Sequence, residues 1–331
     1  MRHSPSVDTA AAGDRIARIR MSGRRARGMR LCYFYTSEAE RDADSRRRLP
    51  RGGRVGTVVG ETVHLLDVPP DLLRDGFEWA DGAFEKLAAL KPGPAVGSLE
   101  SVWLGAPVIR PAQFLDFYAF EQHVKTARKL RGFDTVPPEW YEIPAYYNSN
   151  PTSLYGHKQT VHFPAGEDRM DYECEFGCVI GRTIRNATLE TARAAIAGYT
   201  IVNDLSARGR QRQAMAIGMG PAPGKDFGSS IGPVLVTRDE LPDLANLGMR
   251  AFVNGEQWTS GRYGTVHFSF EQMIVYATKS RSLYPGDVLG SGTVGGGCGL
   301  ELGRFLKPGD VVRLEIDGIG ALENRVERDP G

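Results

Sequence analysis

The chain has 331 residues, with 41 Lys+Arg against 40 Asp+Glu, a length that predicts about two domains. A formal net charge of +1 provides no overall field for nucleic acid or an acidic membrane, and no apolar run approaches the roughly 18 residues that span a bilayer. Glycine is enriched: 40 residues are about 12 %, against a usual 7 % or so, which with 20 prolines predicts many turns and a β-rich body.

The four cysteines do not indicate a secreted disulfide framework. Cys174 and Cys178 stand four residues apart in a strand-like run, where they would be about 13 Å apart, too far for a disulfide. No second Cys/His pair accompanies them in the sequence, which argues against a zinc ribbon. We therefore expect reduced thiols and a cytoplasmic protein.

The first 28 residues are rich in arginine and lack the hydrophobic segment of a signal peptide. Because Met29 directly precedes a strand-like run at 29–35, we expect residues 1–28 to be a disordered basic extension, with a nucleic-acid arm or targeting segment as alternatives. Residues 29–108 are predicted to form a small, mostly β N-terminal domain. Its strand patterns lie at 29–35, 53–59 and 62–66, and its helical stretch at 82–90.

The main domain, predicted at 109–328, mixes helical and strand patterns without the regular alternation of a doubly wound sheet, which indicates an α+β fold. Helices are predicted at 117–130, 189–197 and 270–278, and strands at 172–180, 198–203, 234–237, 249–253 and 311–316. Long connections containing proline and glycine are predicted at 131–165, 209–233 and 290–303. Loops of that length inside a compact domain are usually functional.

Acidic residues interrupt an otherwise apolar strand pattern at Glu173 and Glu175. Their side chains would project from one face about 6.6 Å apart, and two like charges on a partly buried face repel unless a cation lies between them. A solvent-facing strand is the alternative for this pair alone, but Asp204 ends another apolar run in a similar setting. Oxygen ligands without His or Cys favour Mg²⁺, Mn²⁺ or Ca²⁺ over zinc.

Cationic and amide side chains follow Asp204. Arg208 and Gln211 are three residues apart, so one helical turn would place them on one face. Glycines and prolines around Lys225 predict an irregular backbone that brings its ammonium group to the same site. A merely structural cluster of ion pairs is the alternative explanation of these residues.

Six stretches, in order, resemble the fumarylacetoacetate hydrolase family over about residues 109–328. They are 116–123 (DFYAFEQH), 171–175 (DYECE), 202–208 (VNDLSAR), 224–228 (GKDFG), 253–256 (VNGE) and 286–293 (GDVLGSGT). The resemblance implies a mixed β-roll with a smaller N-terminal domain, a homodimer, and a small dicarbonyl or diacid substrate. No nucleic-acid or membrane partner is expected.

The resemblance also implies roles for individual residues. Its metal site, with Mg²⁺ as the first choice and Mn²⁺ or Ca²⁺ as alternatives, maps onto Asp116, Glu173, Glu175 and Asp204. Its His–Glu pair, which activates water, maps onto His123 and Glu301, the latter within 297–303 (GCGLELG).

Other positions match groups that contact the substrate. The donors to the attacked carbonyl map onto Arg208, Gln211 and Lys225, and two further substrate contacts map onto Tyr118 and Thr293. Residues 139–150 match the family's pocket segment only loosely and residues 209–223 diverge, which leaves the substrate open.

Together these features predict a divalent-metal-dependent hydrolase that cleaves a carbon–carbon bond of a β-diketo or acylpyruvate acid in the catabolism of aromatic compounds. An isomerase or decarboxylase of the same superfamily, acting on a 2-oxo- or 2-hydroxy-dienoate diacid, is the alternative. The match at Glu301 favours hydrolysis.

Two remote alternatives belong to other classes of protein. Residues 290–295 satisfy G-x-G-x-x-G, but a nucleotide-binding oxidoreductase needs a helix and an acidic second strand after this motif, and more glycines follow here. A non-catalytic binding protein would have no need of all four carboxylates and both members of the His–Glu pair.

Overall fold

A computed structural model describes residues 28–45, 52–74 and 78–331 of the chain. The expected extension at 1–28 lies outside these ranges except for Gly28. The elements before residue 108 are β1 (Arg30–Tyr35), α1 (Glu38–Ser45), β2 (Arg54–Val59), β3 (Thr62–Leu65), β4 (Leu73–Arg74), β5 (Glu78–Trp79), α2 (Ala83–Leu87), β6 (Ala95–Ser98) and β7 (Trp103–Leu104).

The strands after residue 108 are β8 (Phe114–Phe117), β9 (Tyr146–Ser149), β10 (Leu154–Tyr155), β11 (Val161–Phe163), β12 (Met170–Asp171), β13 (Glu173–Ile180), β14 (Ile184–Arg185), β15 (Ile196–Asn203), β16 (Ser206–Ala207), β17 (Ser229–Thr237), β18 (Gly248–Val253), β19 (Glu256–Arg262), β20 (Ser282–Leu283), β21 (Val288–Cys298), β22 (Val311–Ile316) and β23 (Gly320–Arg328). The helices are α3 (Glu121–Leu130), α4 (Glu139–Glu142), α5 (Leu189–Ala195), α6 (Arg208–Ala216), α7 (Phe270–Ala277) and α8 (Gly299–Leu302). Short 3₁₀ turns occur at Ala222–Gly224, Arg238–Glu240 and Tyr263–Thr265.

One large mixed sheet organises the described part of the chain, in the order β6-β3-β2-β1-β17-β15-β13-β21-β8-β9. A second sheet has the order β11-β23-β22-β18-β19. In the large sheet β8 runs parallel to β21 while β13 runs antiparallel to it. Mixed sheets with separate helices confirm the α+β expectation.

The large sheet continues across the domain junction predicted near residue 108. Strand β1 pairs antiparallel with β17, with Arg30 opposite Val236 and Leu31 opposite Leu235. The N-terminal strands therefore extend the same sheet that contains the site, and the division into domains at 29–108 and 109–328 stays a prediction. No helix of the described ranges is long and apolar enough to cross a bilayer.

The centre of the large sheet is buried on both faces. Every residue of β13 and β15 is buried, as expected for strands covered by other elements on each side. Phe176 of β13 stacks on Tyr199 with ring centroids 5.0 Å apart, and it also meets Tyr263 and Phe270. A capping box between Ser269 and Gln272 starts α7 at Phe270 and so places its ring in this cluster.

Several boundaries differ from the expectations. The helices predicted at 189–197 and 270–278 form at nearly those positions. The one predicted at 117–130 begins only at Glu121, because β8 extends to Phe117 and residues 118–120 connect the strand to the helix. The predicted long loops are also interrupted: 131–165 contains α4, β9, β10 and β11, and 209–233 contains most of α6 and part of β17. The glycine-rich segment 290–303 is not a loop, since it forms most of β21 and then α8.

We expect Phe176→Ala to lower the free energy of unfolding by about 3–5 kcal/mol, because it removes a buried ring from the centre of the aromatic cluster. Phe133→Ala is the control, since that ring is 54 % exposed, and it should change stability by less than about 0.5 kcal/mol. Urea unfolding measures both variants. A loss in Phe176→Ala no larger than that of the control would contradict this packing.

Candidate functional site

Three carboxylates from separate segments converge beside β21. Asp116 lies on β8, Glu175 lies on β13, and Asp204 directly follows β15. One oxygen of each carboxylate lies within 4.8 Å of the others. We call these three residues the acid triad.

Gly290 of β21 makes room for the acid triad. Strand β21 lies between β8 and β13, and Gly290 pairs with Asp116. A β-carbon at position 290 would lie 2.7 Å from Glu175 Oε2 and closer still to Asp116 Oδ1. Glycine therefore allows carboxylates from two strands that are not neighbours to meet across the strand between them.

Burial raises the pKa of every member of the acid triad well above its ordinary value. Repulsion adds to burial: the charge on Glu175 raises the pKa of Asp116, and the charge on Asp204 raises that of Glu175. Asp116 Oδ1 is buried without a hydrogen-bond partner. The triad thus holds more negative charge than its surroundings compensate.

Two buried cations neutralise the neighbouring Glu173. Lys225 Nζ donates to Glu173 Oε2 at 2.7 Å and also to Asp204, while Arg208 Nη2 donates to Glu173 Oε1 at 2.8 Å. Burial alone would raise the pKa of Glu173, but the charges of Lys225 and Arg208 hold it well below its ordinary range. The structure therefore separates Glu173, which pairs with both cations, from the acid triad, in which Asp204 shares Lys225 with Glu173.

Asp171, which the sequence analysis did not single out, holds Arg208 in place. Arg208 Nε donates to Asp171 Oδ2 at 2.7 Å, and the carboxylate also accepts the N–H groups of Gly299 at 2.7 Å and Leu300 at 3.0 Å. Arg208 Nη1 donates in turn to Gln211 Oε1 at 3.0 Å. One buried carboxylate thus connects the guanidinium group to the first turn of α8.

His123 on α3 and Glu301 on α8 form a buried pair, which we call the dyad. Nδ1 of His123 and Oε1 of Glu301 are 2.6 Å apart, and the two side chains are 5 % and 3 % exposed. Burial would raise the pKa of Glu301, but the hydrogen bond and charge of His123, with the N–H of Gly296, hold it below its ordinary value. The ring of Tyr118 meets the His123 ring edge-on, with centroids 5.3 Å apart.

Tyr147 is a second residue that the sequence analysis missed. It lies on β9 opposite Asp116, and its hydroxyl donates to the Asp204 carboxylate at 2.9 Å from each oxygen. The one feature of the sequence that pointed to Tyr147 was its position in segment 139–150, which matches the family's pocket segment only loosely. Of the predicted substrate contacts, Thr293 lies with Oγ1 3.5 Å from Glu175 Oε1, and the Tyr118 hydroxyl accepts from Arg131 Nη2 at 3.2 Å.

The residues at the acid triad fit a hard divalent cation. Carboxylate oxygens are the ligands that Mg²⁺, Mn²⁺ and Ca²⁺ prefer. The balance of charge also favours a bound cation. In the acid triad and its ion-paired neighbours, five buried carboxyl groups accompany two permanently charged cations. The carboxyl groups are Asp116, Asp171, Glu173, Glu175 and Asp204, and the cations are Arg208 and Lys225. The unpartnered oxygen of Asp116 and the space at Gly290 point to the same conclusion.

The glycine motif at 290–295 is not a nucleotide-binding turn. All six of its residues lie inside β21, whose strand continues to Cys298 before α8 begins. A dinucleotide site needs these glycines at a turn that leads from a strand into a helix. The oxidoreductase alternative is therefore wrong, and the glycines serve close packing within the sheet.

Comparisons with known proteins agree with this geometry. A family model described as fumarylacetoacetate (FAA) hydrolase C-terminal matches residues 113–327. The mitochondrial oxaloacetate tautomerase fahd2 of Xenopus laevis is 31 % identical over 314 residues, which cover 91 % of this chain and 91 % of that protein.

Two solved structures share the fold and 25 % of the sequence. One is a 5-carboxymethyl-2-hydroxymuconate delta-isomerase from Mycobacterium smegmatis, with a TM-score of 0.67 and coverage of 91 % of this chain and 100 % of that one. The other is a fumarylacetoacetate hydrolase from the psychrophilic Exiguobacterium antarcticum, with a TM-score of 0.67 and the same coverages of 91 % and 100 %.

We expect stabilisation by Mg²⁺ or Mn²⁺ to increase with pH. The acid triad has raised pKa values in the folded state, so the metal-free protein loses stability as pH rises above about 4, whereas a cation binds the deprotonated carboxylates. At a metal concentration 100 times Kd the gain is about 2.7 kcal/mol. Thermal melting with metal and with chelator, at about pH 5.5 and about pH 8, measures this difference.

Glu175→Gln tests whether the acid triad is responsible. The variant should show little stabilisation by metal at either pH, and without metal it should be more stable than the wild-type protein at the higher pH. Glu190→Gln, which changes an exposed helix residue, serves as the control and should behave like the wild-type protein. Equal metal stabilisation in Glu175→Gln would contradict the assignment.

Proposed function

The chain belongs to the fumarylacetoacetate hydrolase family, and from that membership we propose a divalent-metal-dependent hydrolase that cleaves a carbon–carbon bond of a small β-diketo or acylpyruvate acid. The observation that carries the proposal is the 2.6 Å contact between His123 and Glu301. It supplies a general base with a buried carboxylate partner, and the charge of His123 acts on Glu173, the neighbour of the acid triad.

His123 acts as the base through Nε2. The Glu301 carboxylate accepts a hydrogen bond from Nδ1–H, and this contact assigns the tautomer that carries the lone pair on Nε2. A water molecule that donates to Nε2 loses its proton as it attacks the ketone carbon. The imidazolium that forms is stabilised by the Glu301 carboxylate, whose lowered pKa keeps it ionised.

The acid triad would hold the metal, with Mg²⁺ as the first choice and Mn²⁺ or Ca²⁺ as alternatives, and a bound cation polarises the ketone oxygens of such a substrate. Residues that are not metal ligands hold the ligands of this site in position. Tyr147 and Lys225 both donate to Asp204 and hold its carboxylate in one orientation. Loss of such a partner typically lowers metal affinity or activity by about 10–100-fold.

Gln211 and Lys225 are the donors to the tetrahedral oxyanion. The Gln211 oxygen accepts from Arg208, so its amide nitrogen is the group that donates toward substrate. Lys225 has three N–H groups, and its contacts with Glu173 and Asp204 require only two. Arg208, held by Asp171, Glu173 and Gln211, acts by positioning these groups. Loss of one oxyanion donor typically costs about 10²–10³ in rate.

Collapse of the oxyanion breaks the carbon–carbon bond. The carbonyl fragment leaves as a carboxylic acid, and the other fragment leaves as an enolate that takes back the proton from the His123 imidazolium. One water is consumed and no redox partner is needed. His123 therefore serves first as base and then as acid, with Glu301 as its partner in both steps.

Tautomerisation or isomerisation is the second candidate reaction. It is favoured by the 31 % identity to an oxaloacetate tautomerase and by the 25 % identity to a 5-carboxymethyl-2-hydroxymuconate delta-isomerase. In that case His123 would take its proton from a carbon next to the carbonyl group instead of from water. Decarboxylation, the homodimer, the cytoplasmic location and a place in aromatic catabolism stay predictions.

We expect a panel of acylpyruvates, fumarylpyruvate, fumarylacetoacetate and oxaloacetate to separate these reactions. Mass analysis in the presence of Mg²⁺ should show two fragments from one substrate, and chelator should abolish the reaction. His123→Ala and Glu301→Gln should lower kcat by about 10²–10⁴ while metal-dependent stabilisation is kept.

His162→Ala is the matched control for these variants, because His162 is exposed on β11, and it should retain full activity. If a substrate is converted to a product of unchanged mass, and that product takes up deuterium when the reaction is run in D₂O, the reaction is tautomerisation or isomerisation and not hydrolysis. Full activity in His123→Ala would contradict both reactions.

A further inference from the structure

A second group of metal-binding atoms lies beside the acid triad and has different chemistry. A ring nitrogen of His123, Sγ of Cys298 and a carboxylate oxygen of Glu301 all lie within 4.8 Å of one another. Cys298 ends β21 directly before α8, and its sulfur lies 3.6 Å from Glu301 Oε1. The proposed hydrolysis uses His123 and Glu301 but assigns no role to Cys298.

The donor set of this group fits zinc. Nitrogen, sulfur and carboxylate oxygen are typical zinc ligands, whereas Mg²⁺ and Ca²⁺ prefer the all-oxygen acid triad. Tetrahedral zinc, with bonds of about 2.1 Å to oxygen and about 2.3 Å to sulfur, places these two ligands about 3.6 Å apart. The sulfur and oxygen already have that spacing.

The remaining ligand needs only a small movement. Nδ1 of His123 and Oε1 of Glu301 are 2.6 Å apart, the spacing of a hydrogen bond in which one proton is shared. Replacing that proton by zinc requires about 3.4 Å between nitrogen and oxygen ligands. Nearby charge does not oppose a cation, since the guanidinium group of Arg208 is paired with both Asp171 and Glu173.

We propose that His123, Cys298 and Glu301 bind Zn²⁺ and that zinc at this position switches off the dyad. The inhibition rests on the proposed function, because it requires His123 to be the catalytic base. The binding of zinc does not depend on that function. A water molecule would complete four-coordination, as in other zinc sites with three protein ligands. The protein would then bind two metals at sites of different ligand chemistry, with a hard cation at the acid triad and zinc at the dyad and Cys298.

The inhibition follows from the proton positions. In the working dyad Nδ1 carries the proton and Nε2 carries the lone pair that accepts a proton from water. Zinc on Nδ1 forces the imidazole proton onto Nε2, so the base is lost. The Cys298 thiol releases its proton to solvent and binds as thiolate, so each zinc bound releases one proton.

Cobalt substitution tests the binding directly. Full-length protein saturated with Mg²⁺ is titrated with Co²⁺, which serves as a spectroscopic probe for zinc. We expect one equivalent to produce a thiolate-to-cobalt charge-transfer band in the near ultraviolet, and Zn²⁺ should displace it. Cys298→Ser and Cys298→Ala should lack the band. Two variants are used so that failure of one to fold leaves the other.

Calorimetry and activity complete the test. Zn²⁺ should bind either Cys298 variant at least about tenfold more weakly than the wild-type protein, and Zn²⁺ should inhibit the wild-type enzyme at concentrations that leave Cys298→Ser active. The Glu175→Gln variant should keep the cobalt band, because its change lies in the acid triad.

The outcomes separate this proposal from the proposed function. A cobalt band without hydrolytic activity would support the zinc site and remove the hydrolase. Hydrolysis without a cobalt band, or a band that persists in both Cys298 variants, would overturn the zinc site and leave the hydrolase.

Discussion

An excess of buried negative charge is the constraint on which the site depends. Among the described residues, the acid triad and the neighbouring Asp171 and Glu173 make five buried carboxyl groups, which face two buried permanent cations, Arg208 and Lys225. Charges removed from water are costly unless they are paired. Arg208 pairs with Asp171 and Glu173, and Lys225 is shared between Glu173 and Asp204. What remains is the acid triad, where burial and repulsion raise the pKa values and a divalent cation supplies the missing charge.

The fold supports this arrangement through backbone and packing. Gly290 keeps the strand between Asp116 and Glu175 free of a side chain, and Tyr147 extends from β9 to hold Asp204. Asp171 binds both Arg208 and the first turn of α8. Because α8 also carries Glu301, the ion-paired half of the site and the dyad are connected by one carboxylate. The chemistry and the local fold therefore depend on each other.

Much of the site could be predicted from the sequence, because its residues stand in short local stretches. The two-residue spacing of Glu173 and Glu175, the apolar run before Asp204 and the family stretches all identified residues that the structure brings together. The division of the carboxylates could not be predicted. Lys225 and Arg208 reach Glu173 from 52 and 35 residues away, and only the tertiary structure shows which acid they neutralise.

Contacts between residues that are distant in sequence also explain the wrong loop prediction at 290–303 and the site residues that were not identified. Glycine composition predicts loops, yet in β21 the glycines make room for side chains of neighbouring strands, a constraint that is invisible along one chain. Asp171 and Tyr147 gave weak signals, since their partners are distant in sequence. Cys298 could not be related to His123, 175 residues earlier, because spacing rules for zinc detect only ligands that are close in sequence.

Anomalous X-ray scattering from crystals grown with Mn²⁺ would locate the hard cation in the protein. We expect one manganese peak bounded by oxygens of Asp116, Glu175 and Asp204, with Lys225 still paired to Glu173. A triad without a peak, or with its carboxylates turned away from one another while manganese lies elsewhere, would contradict this expectation.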